Sequence, residues 1–327
     1  MTFSGIIERE TVLDSILDTV GWTPMVKLSR IFSEFPEATV LAKLEQFNPN
    51  GSAKDRIGVF MVEQAEKEGR IKPGDTLVEP SSGNTGLGIA MAGALKGYKV
   101  VITMPKKMSM EKYHLLRAFG AEVIWCPTEA AHGDPDNYVE VAERMAREHP
   151  NTHVLNQLEN PNNPEAHYRF TGPEIWAQTK GKMDYFVCGI GTSGTISGIG
   201  KYLKEQNPAV QIIAIDPPGS IYSGGEPESY FVEGIGYDYF PSIYNAGVVD
   251  KVIRVTDAES FKEARQFALQ EAILSGGSTG SVIAGMRKLL AEVDHRGKTF
   301  VMMVHDTGRN YLTKFYDDEW MKEKGFL

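Results

Sequence analysis

Cysteine is nearly absent: the 327 residues include only Cys126 and Cys188, each inside a strand-like run and neither in a Cys-x-x-Cys pattern. A disulfide scaffold is thereby excluded, and two buried apolar thiols in a reducing compartment are expected. The 7 histidines are scattered with no His-Glu-x-x-His or similar ligand spacing, so no metal site is expected. No apolar run approaches the roughly 20 residues of a membrane-spanning helix. Residues 1–5 lack the charged and apolar regions of a signal peptide. The expectation is a cytoplasmic chain with no membrane partner. Basic residues number 34 against 43 acidic ones, a formal charge of −9, and they form no run. That balance argues against nucleic acid as a partner.

What the chain does have is alternation. Strand-like runs rich in Val, Ile and Leu recur at 39–44, 99–104, 122–126, 185–190, 211–216, 251–255 and 299–304. Helix-like segments at 86–96, 111–119, 138–148, 197–205 and 260–273 lie between them. This pattern predicts an α/β fold of parallel sheets flanked by helices. The length and the 42% hydrophobic content allow a core large enough for two lobes. The Asn/Pro-rich stretch 159–164 reads as a crossing between lobes, and 217–244, with its Gly and Pro, as a substrate-side flap.

The most informative stretch is Asn48-Pro49-Asn50-Gly51-Ser52-Ala53-Lys54-Asp55-Arg56. It sets a lysine where a helix should begin, directly after a turn. A long amine held at a fixed point suits a Schiff base with an aldehyde cofactor. Three glycine and hydroxyl clusters accompany it: Ser81-Ser82-Gly83-Asn84-Thr85-Gly86, Gly189-Ile190-Gly191-Thr192-Ser193-Gly194-Thr195 and Ser275-Gly276-Gly277-Ser278-Thr279-Gly280-Ser281. Each opens a helix-like segment, where free N–H groups and hydroxyls hold anions.

These motifs, in this order and spacing, resemble the fold-type II pyridoxal-phosphate enzymes, the cysteine synthase and cystathionine β-synthase family with its tryptophan synthase β-subunit-like fold. The resemblance runs from 17–24 to 310–315. Segments 232–241 and 107–112 are most similar to the catalytic core of the cystathionine β-synthase branch, and 170–176 to the cysteine synthase branch. It implies two lobes, each with a parallel sheet flanked by helices. Residues 1–42 and 154–327 would form the large lobe with the phosphate and pyridine sites. Residues 43–153 would form the small lobe with the lysine and the carboxylate loop. Pyridoxal 5′-phosphate is the implied cofactor, without haem or metal. A homodimer acting on small amino-acid and thiol substrates is implied as well.

Site residues follow from the same resemblance. Lys54 would carry the cofactor and act as general base. Gly191, Thr192, Ser193, Gly194 and Thr195 would hold its phosphate, although the family usually has glycine where Ser193 stands. Ser278 would face the pyridine nitrogen, and its neutral hydroxyl favours β-elimination over transamination. Ser81, Ser82, Gly83, Asn84 and Thr85 would bind the substrate carboxylate, with Gln157 reaching in from the other lobe. Asn84 would also meet the ring hydroxyl. Glu233, Gly234 and Tyr237 would line the mouth where a second amino acid enters. Leu158 replaces an aromatic residue of the relatives, so an aromatic wall is expected to be missing. The implied reaction is β-replacement on serine or an O-activated serine by a thiol, through an aminoacrylate.

Other readings stay open. Gly189-x-Gly191-x-x-Gly194 followed by Asp216 also satisfies a dinucleotide fingerprint, as in an NAD-dependent dehydrogenase. A cysteine synthase using O-acetylserine and sulfide, or a non-catalytic binding protein on the same fold, is a further alternative. His305-Asp306 has no assigned role.

Overall fold

The structure, a computed structural model, describes residues 12–327. The signal-peptide reading of 1–5 and the first 11 residues of the expected large lobe lie outside the described residues. Among the described residues, strands form two sheets. Their ranges are β1 Met25–Leu28, β2 Thr39–Leu44, β3 Thr76–Pro80, β4 Lys99–Pro105, β5 Glu122–Cys126, β6 Thr152–Val154, β7 Tyr185–Gly189, β8 Gln211–Asp216, β9 Lys251–Arg254 and β10 Thr299–Val304. One sheet has the order β1-β2-β10-β7-β8-β9 and the other β5-β4-β3-β6.

All pairs are parallel except β1 with β2, where Met25 sits opposite Lys43. That edge departs from the all-parallel expectation, and its reason is local: β1 reaches β2 through a short loop rather than a helical crossover. Central strands such as β10, Thr-Phe-Val-Met-Met-Val, are buried on both faces and read as unbroken apolar runs. β1 and β6, with four and three residues, are too short for such a signal.

The helices are α1 Lys54–Lys67, α2 Asn84–Lys96, α3 Met110–Ala118, α4 Tyr138–Glu148, α5 Asn162–Ala166, α6 Gly172–Thr179, α7 Gly194–Gln206, α8 Asp257–Glu271, α9 Gly277–Glu292 and α10 Asp318–Glu323. A π-helical turn, His167–Thr171, joins α5 to α6. α2, α7 and α9 start two to five residues before their apolar periodicity, because glycines and hydroxyls fill their first turns.

Helices α1 and α2 cross at two glycines. A Cβ on Gly58 would lie 2.6 Å from the Gly88 carbonyl carbon, and one on Gly88 would lie 2.9 Å from the Lys54 carbonyl oxygen. Backbone bonds then join the approach to α1 to the end of β10: Ala53 N–H donates to His305 O (2.8 Å) and Thr307 N–H to Gly51 O (2.9 Å). An isolated bridge pairs Ser52 with Asp306. The chain leaves the six-stranded sheet after Leu44, and the four-stranded sheet ends at Val154.

Candidate active site

A cavity of about 500 Å³ opens where strands of both sheets end at their carboxyl termini, the usual place for a ligand in α/β architecture. Lys54, Ser81, Ser82, Asn84, Thr85, Gln157, Gly191, Thr192, Ser193, Thr195, Glu233, Gly234, Tyr237 and Ser278 all line it. Gly83 and Gly194 stand behind the wall. Gly83 has φ +125° and lies against the Lys112 side chain, while a Cβ on Gly194 would run into the Asn163 amide. Leu158 is buried outside the cavity wall.

Lys54 is the first residue of α1. Among the described residues its amine has no hydrogen-bond partner. Burial lowers its pKa to about 8, while Cys188 and Asp306 pull it back up. An amine held so close to neutrality is a competent nucleophile and base.

The carboxylate loop is built around Ser81. Its Oγ accepts from the N–H groups of Gly83 (3.0 Å) and Gly86 (3.2 Å), a capping arrangement at the start of α2. Thr85 Oγ1 donates to Gln157 Oε1 (2.6 Å), and Gln157 Nε2 donates to Pro80 O (3.0 Å). Glu79, the fully buried residue before Pro80, accepts from the N–H groups of Asn156 and Gln157, one on each oxygen. Burial raises its pKa to about 8 against the pull of those two bonds.

The second loop has its own supports. Ser193 adopts φ +69°, a left-handed conformation that glycine takes without strain. This accounts for the family's usual glycine there. The Ser193 Oγ is buried and has no partner among the described residues. Gly191 must be glycine, since a Cβ would lie 2.5 Å from Gly234 O, and its carbonyl accepts from Tyr222 (2.7 Å). Buried His167 links Thr171 Oγ1 (2.9 Å) to Thr195 Oγ1 (3.1 Å). Burial and then the charge of Lys54 hold its pKa well down, so the imidazole is neutral. Asn163 donates to Gln157 O (2.7 Å) and Thr192 Oγ1 (3.3 Å), tying the two anion loops together.

At the mouth, Tyr237 and Tyr138 share a hydrogen bond of 2.8 Å. Glu233 is buried with both oxygens occupied, one by Lys112 (2.7 Å) and the other by Lys314. Burial opposes its charge, yet the two lysines hold the carboxyl below its ordinary range. Asn84 donates to Asp306 Oδ2 (2.8 Å), which also accepts from Tyr311 (2.6 Å).

Asp216, the acidic residue of the dinucleotide fingerprint, is fully buried and accepts from the Ser223 N–H. It is not presented to a ligand. His167, Asn163, Tyr222, Glu79 and Tyr138 were not among the expected site residues. Each acts through a partner 28 or more positions away in sequence, so no local motif marks it.

Residues 16–306 match the family model described as "Pyridoxal-phosphate dependent enzyme". A cystathionine beta-synthase of Dictyostelium discoideum is 45% identical over 324 residues, covering 98% of this chain and 65% of that protein. The chain therefore spans less than two thirds of that relative's length. A cysteine synthase of Staphylococcus aureus is 43% identical over 304 residues, covering 92% of this chain and 96% of the relative. A solved hydrogen sulfide-producing enzyme from Fusobacterium nucleatum superposes with a TM-score of 0.88 at 36% identity, covering 92% of this chain and all of that one.

Proposed function

The chain belongs to the family of pyridoxal-phosphate dependent enzymes, and from that premise we propose that it replaces the β-substituent of serine, or of an O-activated serine, with a thiol. Homocysteine is the acceptor and cystathionine the product. One observation carries the reading: a lysine amine lowered toward neutrality and free of partners among the described residues shares one cavity with three hydroxyl-rich helix starts.

The wall fits such a cofactor. Asn84 Oδ1 and Ser193 Oγ are buried polar atoms without partners among the described residues, and buried groups of that kind normally find one. Lys54 would anchor the aldehyde and the start of α7, with Gly191 to Thr195, the phosphate. Ser278 would face the ring nitrogen and Asn84 the ring hydroxyl. The bound cofactor would supply the electron sink that loosens the α-proton and the β-substituent of an amino acid.

The chain's own groups do the rest. Ser81, Ser82, Gly83 and Thr85 would hold the substrate carboxylate, with Gln157 behind them. Lys54 would take the α-proton at Nζ and return it to the leaving group. Gly234 and Tyr237 would meet the second substrate, with Glu233 fixed beside them by its two lysines. The two lobes, residues 1–42 with 154–327 and residues 43–153, a cytoplasmic location and a homodimer belong to the same reading.

A second reading, cysteine synthesis from O-acetylserine and sulfide, draws on the Staphylococcus relative, which this chain matches over nearly its full length. Hydrogen sulfide release as a side activity draws on the Fusobacterium enzyme. Incubating the protein with each donor and acceptor in turn, and identifying products by mass, decides among them. Cystathionine from serine and homocysteine is expected, and Tyr237→Ala should raise KM for homocysteine more than for serine. Cysteine from O-acetylserine with no cystathionine would overturn the first reading in favour of the second.

A further inference from the structure

Several buried polar atoms of the cavity wall lack a partner among the described residues, and Ser193 Oγ, one of them, belongs to the loop already assigned to phosphate. Asn84 Oδ1 and Asp306 Oδ1 stand apart, because they are the free atoms of two side chains bonded to each other. Asn84 Nδ2 donates to Asp306 Oδ2 (2.8 Å), and the Asn84 side chain makes no other hydrogen bond among the described residues. Asn84 is the first residue of α2, whose start carries no side-chain cap, so nothing on its own helix orients the amide. Asp306 lies 222 positions away, just past β10, and its carboxylate is firmly held. Its backbone is bridged to Ser52, its carbonyl accepts from the Gly276 N–H (3.2 Å), and Oδ2 also accepts from Tyr311 (2.6 Å). Oδ1 lies against Gly276, where a Cβ would come within 2.0 Å of it.

We propose that Asp306 is a positioning residue: it takes the nitrogen end of the Asn84 amide and so fixes the sense in which Asn84 is presented to the cofactor ring. This rests on the proposed function, in which Asn84 meets the ring hydroxyl. An asparagine amide has a donor end and an acceptor end of almost the same shape, and a half turn exchanges them. A turned amide would set its oxygen against the Asp306 carboxylate, where neither atom has a proton to give. Burial makes such a mismatch costly, so a single bond is enough to hold the amide one way round. Asp306 therefore acts on the ring through Asn84, and the second residue of the His305-Asp306 pair has its task.

The test titrates the cofactor-free full chain with pyridoxal phosphate and reads two quantities, the dissociation constant and the position of the bound cofactor's absorbance band. Asp306→Ala should weaken binding roughly tenfold and move the band, because the freed amide turns. Asp306→Asn should stay close to the parent, since its amide oxygen can accept from Asn84 and Tyr311 in place of Oδ2. Asn84→Ala should weaken binding as Asp306→Ala does, and the double variant should match Asn84→Ala alone in both readings, as expected of two residues acting as one. Tyr311→Phe leaves the bond to Asn84 in place and should not move the band. Additive losses in the double variant overturn the inference, as does an Asp306→Asn variant as impaired as Asp306→Ala, or a band displaced by Tyr311→Phe. If Asp306→Ala fails to fold, Asp306→Leu, which fills a similar space without an acceptor, replaces it. Failure of both would mean that the carboxylate serves the fold, and overturns the inference. A parent that captures no pyridoxal phosphate overturns the proposed function and this inference together, whereas capture with a parent-like Asp306→Ala overturns only this inference.

Discussion

Lys54 and Arg56 stand two residues apart at the start of one helix, and the fold treats their charges in opposite ways. Arg56 is buried and makes two bonds to Glu45 (2.5 and 2.8 Å) and two to Glu174 (both 2.7 Å). Lys43 completes the cluster from β2, donating to Glu174 (2.8 Å). Burial alone would lower the Arg56 pKa, but the two carboxylates raise it above its ordinary value. Lys54 has no such partner among the described residues, and burial prevails. The satisfied cation fixes the helix start to Glu45, just past the end of β2, and to α6, so the unsatisfied one can be presented at a defined point. Structural and reactive charge are separated by one residue, Asp55.

The largest test of that contrast is Lys54→Ala. Serine α-proton exchange, followed by NMR in heavy water, should fall on the order of 10³-fold. The thermal midpoint should barely move, because the amine holds nothing together. Exchange at the parent's rate would remove Lys54 from its role.

Arg56→Ala should do the reverse, costing roughly 3–5 kcal/mol of stability by leaving Glu45 buried without its cation and Glu174 with Lys43 alone. In the parent, burial works against the Glu45 charge, but Arg56 holds its pKa down to about 2, below the ordinary 4.5. That contribution is present above about pH 4.5 and is lost as pH falls toward 2. Without Arg56 only Lys43 and Thr23 still oppose the burial effect, so the folded carboxyls titrate higher than in the parent and the variant gains relative to it as pH falls from 8 to 5. A gap in thermal midpoint equal at both pH values would contradict the account.

A smaller effect, about 1–3 kcal/mol, is expected for Glu79→Gln, since an amide NH₂ would then face a backbone N–H. Because Glu79 positions Gln157, and Gln157 holds Thr85, the same variant should raise KM for serine. Lost stability with unchanged KM would confine Glu79 to a structural part.

Much of this arrangement was legible in the residues, and for a physical reason. Positions where the backbone must approach closely or turn with positive φ admit little but glycine, so Gly83, Gly191 and Gly194 mark their loops in any context. The long central strands announce themselves by being buried on both faces. What escaped depends on encounters between distant segments. His167 meets Thr195, Asn163 meets Thr192, and Glu233 meets Lys112 and Lys314, yet nothing adjacent to these residues signals the pairing. Cys188 could be read as a buried thiol, but not as the neighbour of His305.

The glycine crossing of α1 and α2 has a bearing on how the protein can move. With Gly58 and Gly88 in backbone contact, the helix that begins at Lys54 and the helix that begins at Asn84 have almost no room to slide or rotate past one another. They form one stiff block whose two tips are the amine and the carboxylate loop. Backbone bonds from Ala53 to His305 and from Thr307 to Gly51 seat this block on the end of β10, so motion elsewhere changes what covers the tips and leaves the span between them constant. The protein can open to admit a substrate without losing the ruler by which it measures it.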